Sequence, residues 1–207
     1  ALRLKFNTKG GQHVPKRGGA VLASNHVSYL DFIFCGLAAR PSKRLVRFMA
    51  KKSTFDHKVS GPLMRSMHHI PVDRSAGAGA FDSAVKALHD GEVVGVFPEA
   101  TISQAFEPKD FKTGAVRMAA EANVPLVPMI TFGGQRLWTK GRKADWERGS
   151  CVALTVGEPL YPTPGDDFQE VTDQLRKTMR ELFEATLERY PQKPEPGACW
   201  WPARPMW

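Results

Sequence analysis

Short apolar runs alternate with stretches of helical periodicity along nearly the whole chain, and this alternation most restricts the fold. Residues 19–23, 45–50, 92–97, 124–132 and 151–156 are apolar and short, and read as buried strands. Residues 2–7 alternate apolar with polar and read as a half-exposed strand, and 68–74 as a short one. Between these runs, 29–39, 61–67, 78–89, 113–123 and 166–190 carry apolar side chains at helical spacing. Phe81, Val85 and Leu88 mark one such face; Phe168, Val171, Leu175, Met179, Leu182 and Tyr190 mark another. Leu63, Met64 and Met67 are expected to point inward. Strands feeding helices in this order predict an α/β protein, a single domain on a mostly buried mixed sheet flanked by helices. The domain is expected to cover 1–190, with an irregular proline-rich tail over 191–207.

One turn in this framework carries chemistry. Asn25-His26-Val27-Ser28-Tyr29-Leu30-Asp31 leaves the strand at 19–23 and enters the helix at 29–39. Five residues of regular helix rotate a side chain through roughly 500°, about 140° off the starting face. His26 and Asp31 therefore meet only if His26 lies in the turn. A carboxylate on one ring nitrogen fixes the tautomer and leaves the other nitrogen free to take a proton. A second reading is structural: Ser28 as helix N-cap with Asp31 at the third helical position, a variant of the capping box.

Composition narrows the partners. The 207 residues carry a net charge of +8, which suits anionic lipid surfaces or phosphorylated substrates. No zinc-finger spacing or RNA-binding aromatic motif is present, so nucleic acid is not expected as a partner. Cys35, Cys151 and Cys199 are odd in number and lack a CxxC, arguing against a disulfide scaffold or a zinc site. His68 and His69, adjacent in a strand, would point to opposite faces, which disfavours a paired-histidine metal site. No apolar run reaches the 18 residues of a membrane span, and no secretory signal opens the chain. The chain begins at Ala1 rather than Met, which leaves room for a preceding segment able to hold an anchor.

Three polar groups stand where buried strands run out: the His26/Asp31 turn, Asp73-Arg74, and Glu99-Ala100-Thr101. Ligands of α/β sheets bind at such ends. The planar fork of Arg74 suits a phosphate, unless it is a solvated charge beside Asp73. Glu99 is placed to accept a substrate hydroxyl or to hold Arg74, and Thr101 to donate a hydroxyl.

These segments resemble four blocks of the glycerolipid acyltransferase family, of the 1-acylglycerol-3-phosphate type. Asn25 to Asp31 looks like its NHxSxxD block with the HX4D core. Ile70-Pro71-Val72-Asp73-Arg74 is similar to its second block, Phe97-Pro98-Glu99-Ala100-Thr101 to its FPEGT block, and Val124-Pro125-Leu126-Val127-Pro128 to its fourth. The blocks occur in family order over 25–128. One departure is Ala100, where the family has glycine, so the backbone there either takes an ordinary angle or carries local strain.

The resemblance implies acyl transfer from a thioester, acyl-CoA or acyl carrier protein, to the free hydroxyl of 1-acylglycerol-3-phosphate. His26 would be the general base and Asp31 its orienting partner. Arg74 would clamp the phosphate, with Glu99 and Thr101 around the same head group and Lys51 and Lys112 as further substrate contacts. No metal and no cofactor beyond the acyl donor is implied. The alternatives are acylation of glycerol-3-phosphate or another lysophospholipid, a non-catalytic peripheral lipid-binding protein, or a hydrolase using Ser28. A membrane-associated protein at the cytoplasmic face is expected. The basic and aromatic stretch 135–143 suits an anionic interface. For the tryptophans of the tail, an interfacial role and packing onto the domain both remain open.

Overall fold

The structure is a computed structural model that describes residues 2–58, 60–72, 79–194 and 198–202, and of Lys51 the backbone only. Among these, seven strands form one sheet: β1 (Lys5–Lys9), β2 (Ala20–Ser24), β3 (Val46–Lys51), β4 (Ile70–Val72), β5 (Val93–Val96), β6 (Leu126–Phe132) and β7 (Cys151–Val156). Their spatial order is β1-β7-β6-β2-β5-β3-β4. All neighbours are parallel except β6 and β7, so the sheet is mixed. β2 lies between β5 and β6, and β2, β6 and β7 are buried along their whole length. Strands covered on both faces need apolar side chains at every position, hence the continuous apolar runs in the sequence.

Helices cover both faces. They are α1 (Asp31–Ala38), α2 (Lys52–Asp56), α3 (Ser60–Ser66), α4 (Gly79–His89), α5 (Gly114–Ala122) and α6 (Phe168–Arg189). Alternate β2 residues divide between the two cores, as the strand period of two requires. Leu22 packs with Phe34, Phe48 and Val127 on the α1 side. Val21 and Ala23 pack with residues of α4, α5 and α6 on the other. Each such fully buried aliphatic side chain contributes about 1.5–3 kcal/mol relative to exposure. The long helix α6 starts where the Asp167 carboxylate accepts the backbone N–H groups of Gln169 and Glu170, at 2.8 and 3.3 Å.

The structure differs from the sequence reading in several places. The first strand begins at Lys5 rather than Leu2, because Arg3 takes a left-handed angle (φ 49) and strand pairing to β7 starts at Lys5. The short helix α2 was not expected; its five residues hold too little periodicity to read. Leu63 points outward, while Met64 of the same helix is buried. His68 and His69 precede β4 instead of lying in a strand: they close α3, with their N–H groups donating to Arg65 and Met64 carbonyls. Of the tail tryptophans, Trp207 lies outside the described residues, and the other two pack onto the domain. Trp200 and Trp201 lie against Tyr190, Trp201 also meets Phe132, and the Trp200 carbonyl accepts from Gln135 Nε2 at 3.1 Å.

β2, β5 and β6 are parallel neighbours, so their last residues share one edge of the sheet. The loops that leave them there are 25–30, 97–113 and 133–150.

Candidate active site

The loop after β2 is fastened to β6 before it turns. The Asn25 side chain donates to the Thr131 carbonyl at 3.0 Å and accepts from the Thr131 N–H at 2.7 Å. An amide side chain thus continues the β2–β6 pairing by one residue, and His26 is the first residue free of the sheet.

His26 does lie in the turn. Its Nδ1 is 3.0 Å from Asp31 Oδ2, at the start of α1. Asp31 is fully buried, and a buried carboxylate needs its oxygens occupied. Oδ2 also accepts the N–H groups of Val27 and Ser28, each at 2.7 Å, and Oδ1 accepts the Thr131 hydroxyl at 3.0 Å. The Nδ1 contact makes Nε2 the nitrogen that turns away, and the ring is one-fifth exposed. Asp31 receives both the imidazole and the Ser28 N–H, so the carboxylate does serve the local backbone, but the capping reading holds no further than that.

Ser28 itself is not the N-cap. The helix begins at Asp31, with Leu30 in the capping position and no side-chain cap. The Ser28 hydroxyl accepts the Leu30 N–H at 3.1 Å and donates to the Trp138 carbonyl at 2.7 Å, so its proton points away from His26. That geometry gives no support to a serine nucleophile.

The imidazole rests with one face on a column of aromatic rings. It stacks on Phe97 with centroids 4.1 Å apart and planes 11° from parallel; Phe97 stacks in turn on Phe48 at 4.8 Å. Phe48 lies across Gly95, its partner in the β3–β5 register, where a Cβ would meet the ring at 2.3 Å. His69 abuts Phe48 edge-on, and its Nδ1 accepts the Phe48 N–H at 3.0 Å. Burial, with the Arg47 charge adding to it, holds the His69 ring down to about 4.

Glu99 braces the other side of the same loop. Its Oε1 accepts the His26 N–H at 3.0 Å, and the His26 carbonyl accepts the Ser103 N–H at 2.7 Å. Burial pushes the Glu99 carboxyl up to about 7, against the opposing hydrogen bond from His26. Its Oε2 is buried without a partner among the described residues. Glu99 therefore supports the histidine backbone, a role the sequence did not suggest. Ala100, next along, takes the left-handed conformation at φ 59, so the substitution of the family glycine does carry strain.

The remaining residues singled out in the sequence are less closely gathered. Thr101 is exposed on the same loop. Lys112 joins the site through its backbone, its N–H donating to the Pro98 carbonyl at 2.9 Å, while its side chain is exposed. Lys51 ends β3 at the same edge of the sheet. Arg74 lies outside the described residues. Sequence reasoning missed Thr131 and Phe48, both in apolar strands with nothing local to mark them, and gave Phe97 no role although it opens the third block. Asn25 was visible within the motif but carried no assigned role.

An α/β sheet with a carboxylate-oriented histidine at its strand ends defines the class. A family model described as Acyltransferase matches residues 5–131. The 1-acyl-sn-glycerol-3-phosphate acyltransferase of Bacillus subtilis is 32% identical over 198 residues, covering 88% of this chain and 93% of that protein. The enzyme of the same name from Limnanthes douglasii is 31% identical, covering 93% of this chain and 66% of its own length. The crystal structure of the 1-acyl-sn-glycerophosphate acyltransferase PlsC from Thermotoga maritima superposes with a TM-score of 0.76 at 22% identity, over 93% of this chain and 76% of that one. The chain belongs to the acyltransferase family and is an acyltransferase.

Proposed function

We propose that the protein moves a fatty acyl group from a thioester to the free hydroxyl of 1-acylglycerol-3-phosphate, yielding phosphatidic acid. The names of the relatives, matched over most of the chain, support this acceptor. The observation that carries the chemistry is the 3.0 Å contact between His26 Nδ1 and Asp31 Oδ2, which leaves Nε2 as the base.

In this reading Nε2 removes the acceptor proton as the oxygen attacks the thioester carbonyl. The buried Asp31 stabilises the imidazolium that forms. The tetrahedral intermediate collapses, the C–S bond breaks, and the thiolate leaves with the proton returned from Nε2. The new ester oxygen keeps the acyl carbon, so no covalent enzyme intermediate forms. Either acyl-CoA or an acyl carrier protein presents the thioester required, and the acceptor comes from a membrane surface. No helix of the described residues is long and apolar enough to cross a membrane.

The test is thioester consumption with lysophosphatidate in detergent micelles, for wild type and folded His26→Ala. Acceptor-dependent turnover that falls by about 10²–10⁴-fold in the variant is expected. Turnover surviving the substitution sinks the base assignment. Preference for glycerol-3-phosphate would move the acceptor, and absence of product with every donor would leave a lipid-binding protein.

A further inference from the structure

The loop between β6 and β7 presents aromatic rings and cations to solvent beside the His26 turn. Leu137 and Thr139 are buried, while Trp138 between them is 41% exposed. The Thr139 hydroxyl donates to the Val27 carbonyl at 2.7 Å, and the Asp145 N–H to the Leu137 carbonyl at 2.7 Å. The exposure of Trp138 is therefore built in by its pinned neighbours. Its ring packs against that of Tyr29, centroids 4.8 Å apart, and Tyr29 is 42% exposed. Trp146, at 50%, lies further along the same loop.

Lys140, Arg142 and Lys143 are exposed between these rings. Arg142 reaches the Cys199 carbonyl at 3.3 Å, which ties it to the tail. Of the nearby acids, Glu147 is paired with Arg136 at 2.5 Å and Asp145 is exposed. The exposed rings leave apolar area in water, and the three cations between Trp138 and Trp146 in the chain add positive charge to the same loop. They match an anionic bilayer surface, whose interface takes up tryptophan and tyrosine and whose charge attracts lysine and arginine.

We infer that this loop, with Tyr29, seats the protein on an anionic membrane. The inference rests on the proposed lipid acceptor for its purpose, and on exposed rings and charge for its content. The loop shares backbone contacts with the His26 turn, so docking here brings the site to the lipid surface.

The test is co-sedimentation with phosphatidylglycerol/phosphatidylcholine vesicles and with phosphatidylcholine alone. Wild type is expected to bind the anionic vesicles and to release as salt rises. Lys140→Glu/Lys143→Glu and, separately, Trp146→Ala are expected to lose at least about tenfold in partitioning. Turnover of a short-chain lysophosphatidate, dispersed as monomers, is expected to be unchanged in the charge-reversed protein. Equal vesicle binding by wild type and variants, or none by wild type, overturns the inference. So does a charge-reversed protein that binds vesicles normally but no longer uses an acyl carrier protein donor, which would make the loop a donor site. If variants lose the vesicles while wild type lacks all turnover with the monomeric acceptor, the proposed reaction fails and the docking face stands.

Discussion

Thr131 and His26 hold opposite oxygens of one buried carboxylate, each at 3.0 Å from Asp31. The hydroxyl comes from a strand a hundred residues further along the chain. Removing it leaves Oδ1 with no donor in a fully buried place. Thr131→Val is expected to destabilise the protein by about 1–3 kcal/mol in urea titration and to lower turnover. Thr131→Ser, which keeps the hydroxyl, is expected to retain both. A Val variant as stable and active as wild type would show that Oδ1 needs no partner.

Glu99 predicts a pH dependence. Its carboxyl sits near 7 in the fold against an ordinary 4.5, so folding favours the protonated form. The penalty is absent below about pH 4.5, grows as pH rises toward 7 and then levels. Glu99→Gln keeps an acceptor for the His26 N–H and cannot ionise. Between pH 4.5 and 8 the variant is expected to gain on wild type by up to about 3 kcal/mol. Parallel stability curves would show that Glu99 ionises as freely folded as unfolded.

His69 has the opposite sign. Its neutral ring accepts the Phe48 N–H through Nδ1, and its folded value of about 4 lies below the ordinary 6.5. Stability is therefore lost as pH falls from 6.5 toward 4, by up to about 3 kcal/mol. His69→Asn offers an oxygen to the same N–H without titrating. Its acid limb is expected to be flatter than that of wild type in thermal melts at stepped pH.

Ala100 is strained by its positive φ. Relief of that strain outweighs the extra freedom glycine has when unfolded. Ala100→Gly is expected to raise stability by about 0.5–1 kcal/mol, and Ala100→Val to lower it. Denaturant midpoints for the pair decide the matter; a destabilised glycine variant would locate the strain elsewhere.

The fold was largely readable because buried parallel strands are continuous apolar runs and their helices repeat every three to four residues. Which strands become neighbours was not. β2 meets β5 and β6 through contacts that no local pattern records, and the antiparallel pairing of β6 with β7 is a property of the loop between them. The same division runs through the site. His26 and Asp31 are five apart, and their pairing follows from one turn. Thr131, Phe97 and Phe48 reach that pair only after the sheet has assembled. Glu99 was noticed as a polar residue at a strand end, but its bond to a backbone N–H left no trace in its neighbours. The tail illustrates the converse, since its tryptophans fit either a membrane or a core by composition alone.

Gly95 gives this assembly an unexpected dependence. It carries no functional group and lies in mid-strand, yet Phe48 rests on it, Phe97 rests on Phe48, and the imidazole rests on Phe97. The tilt of His26 is thus set through a column of rings whose footing is a vacant volume in the sheet. A single methyl group at Gly95 would lift that column and misaim the histidine without touching a polar atom. Tolerance to change around this histidine is accordingly governed by empty space as much as by charge, and one of the positions that aim it has no side chain at all.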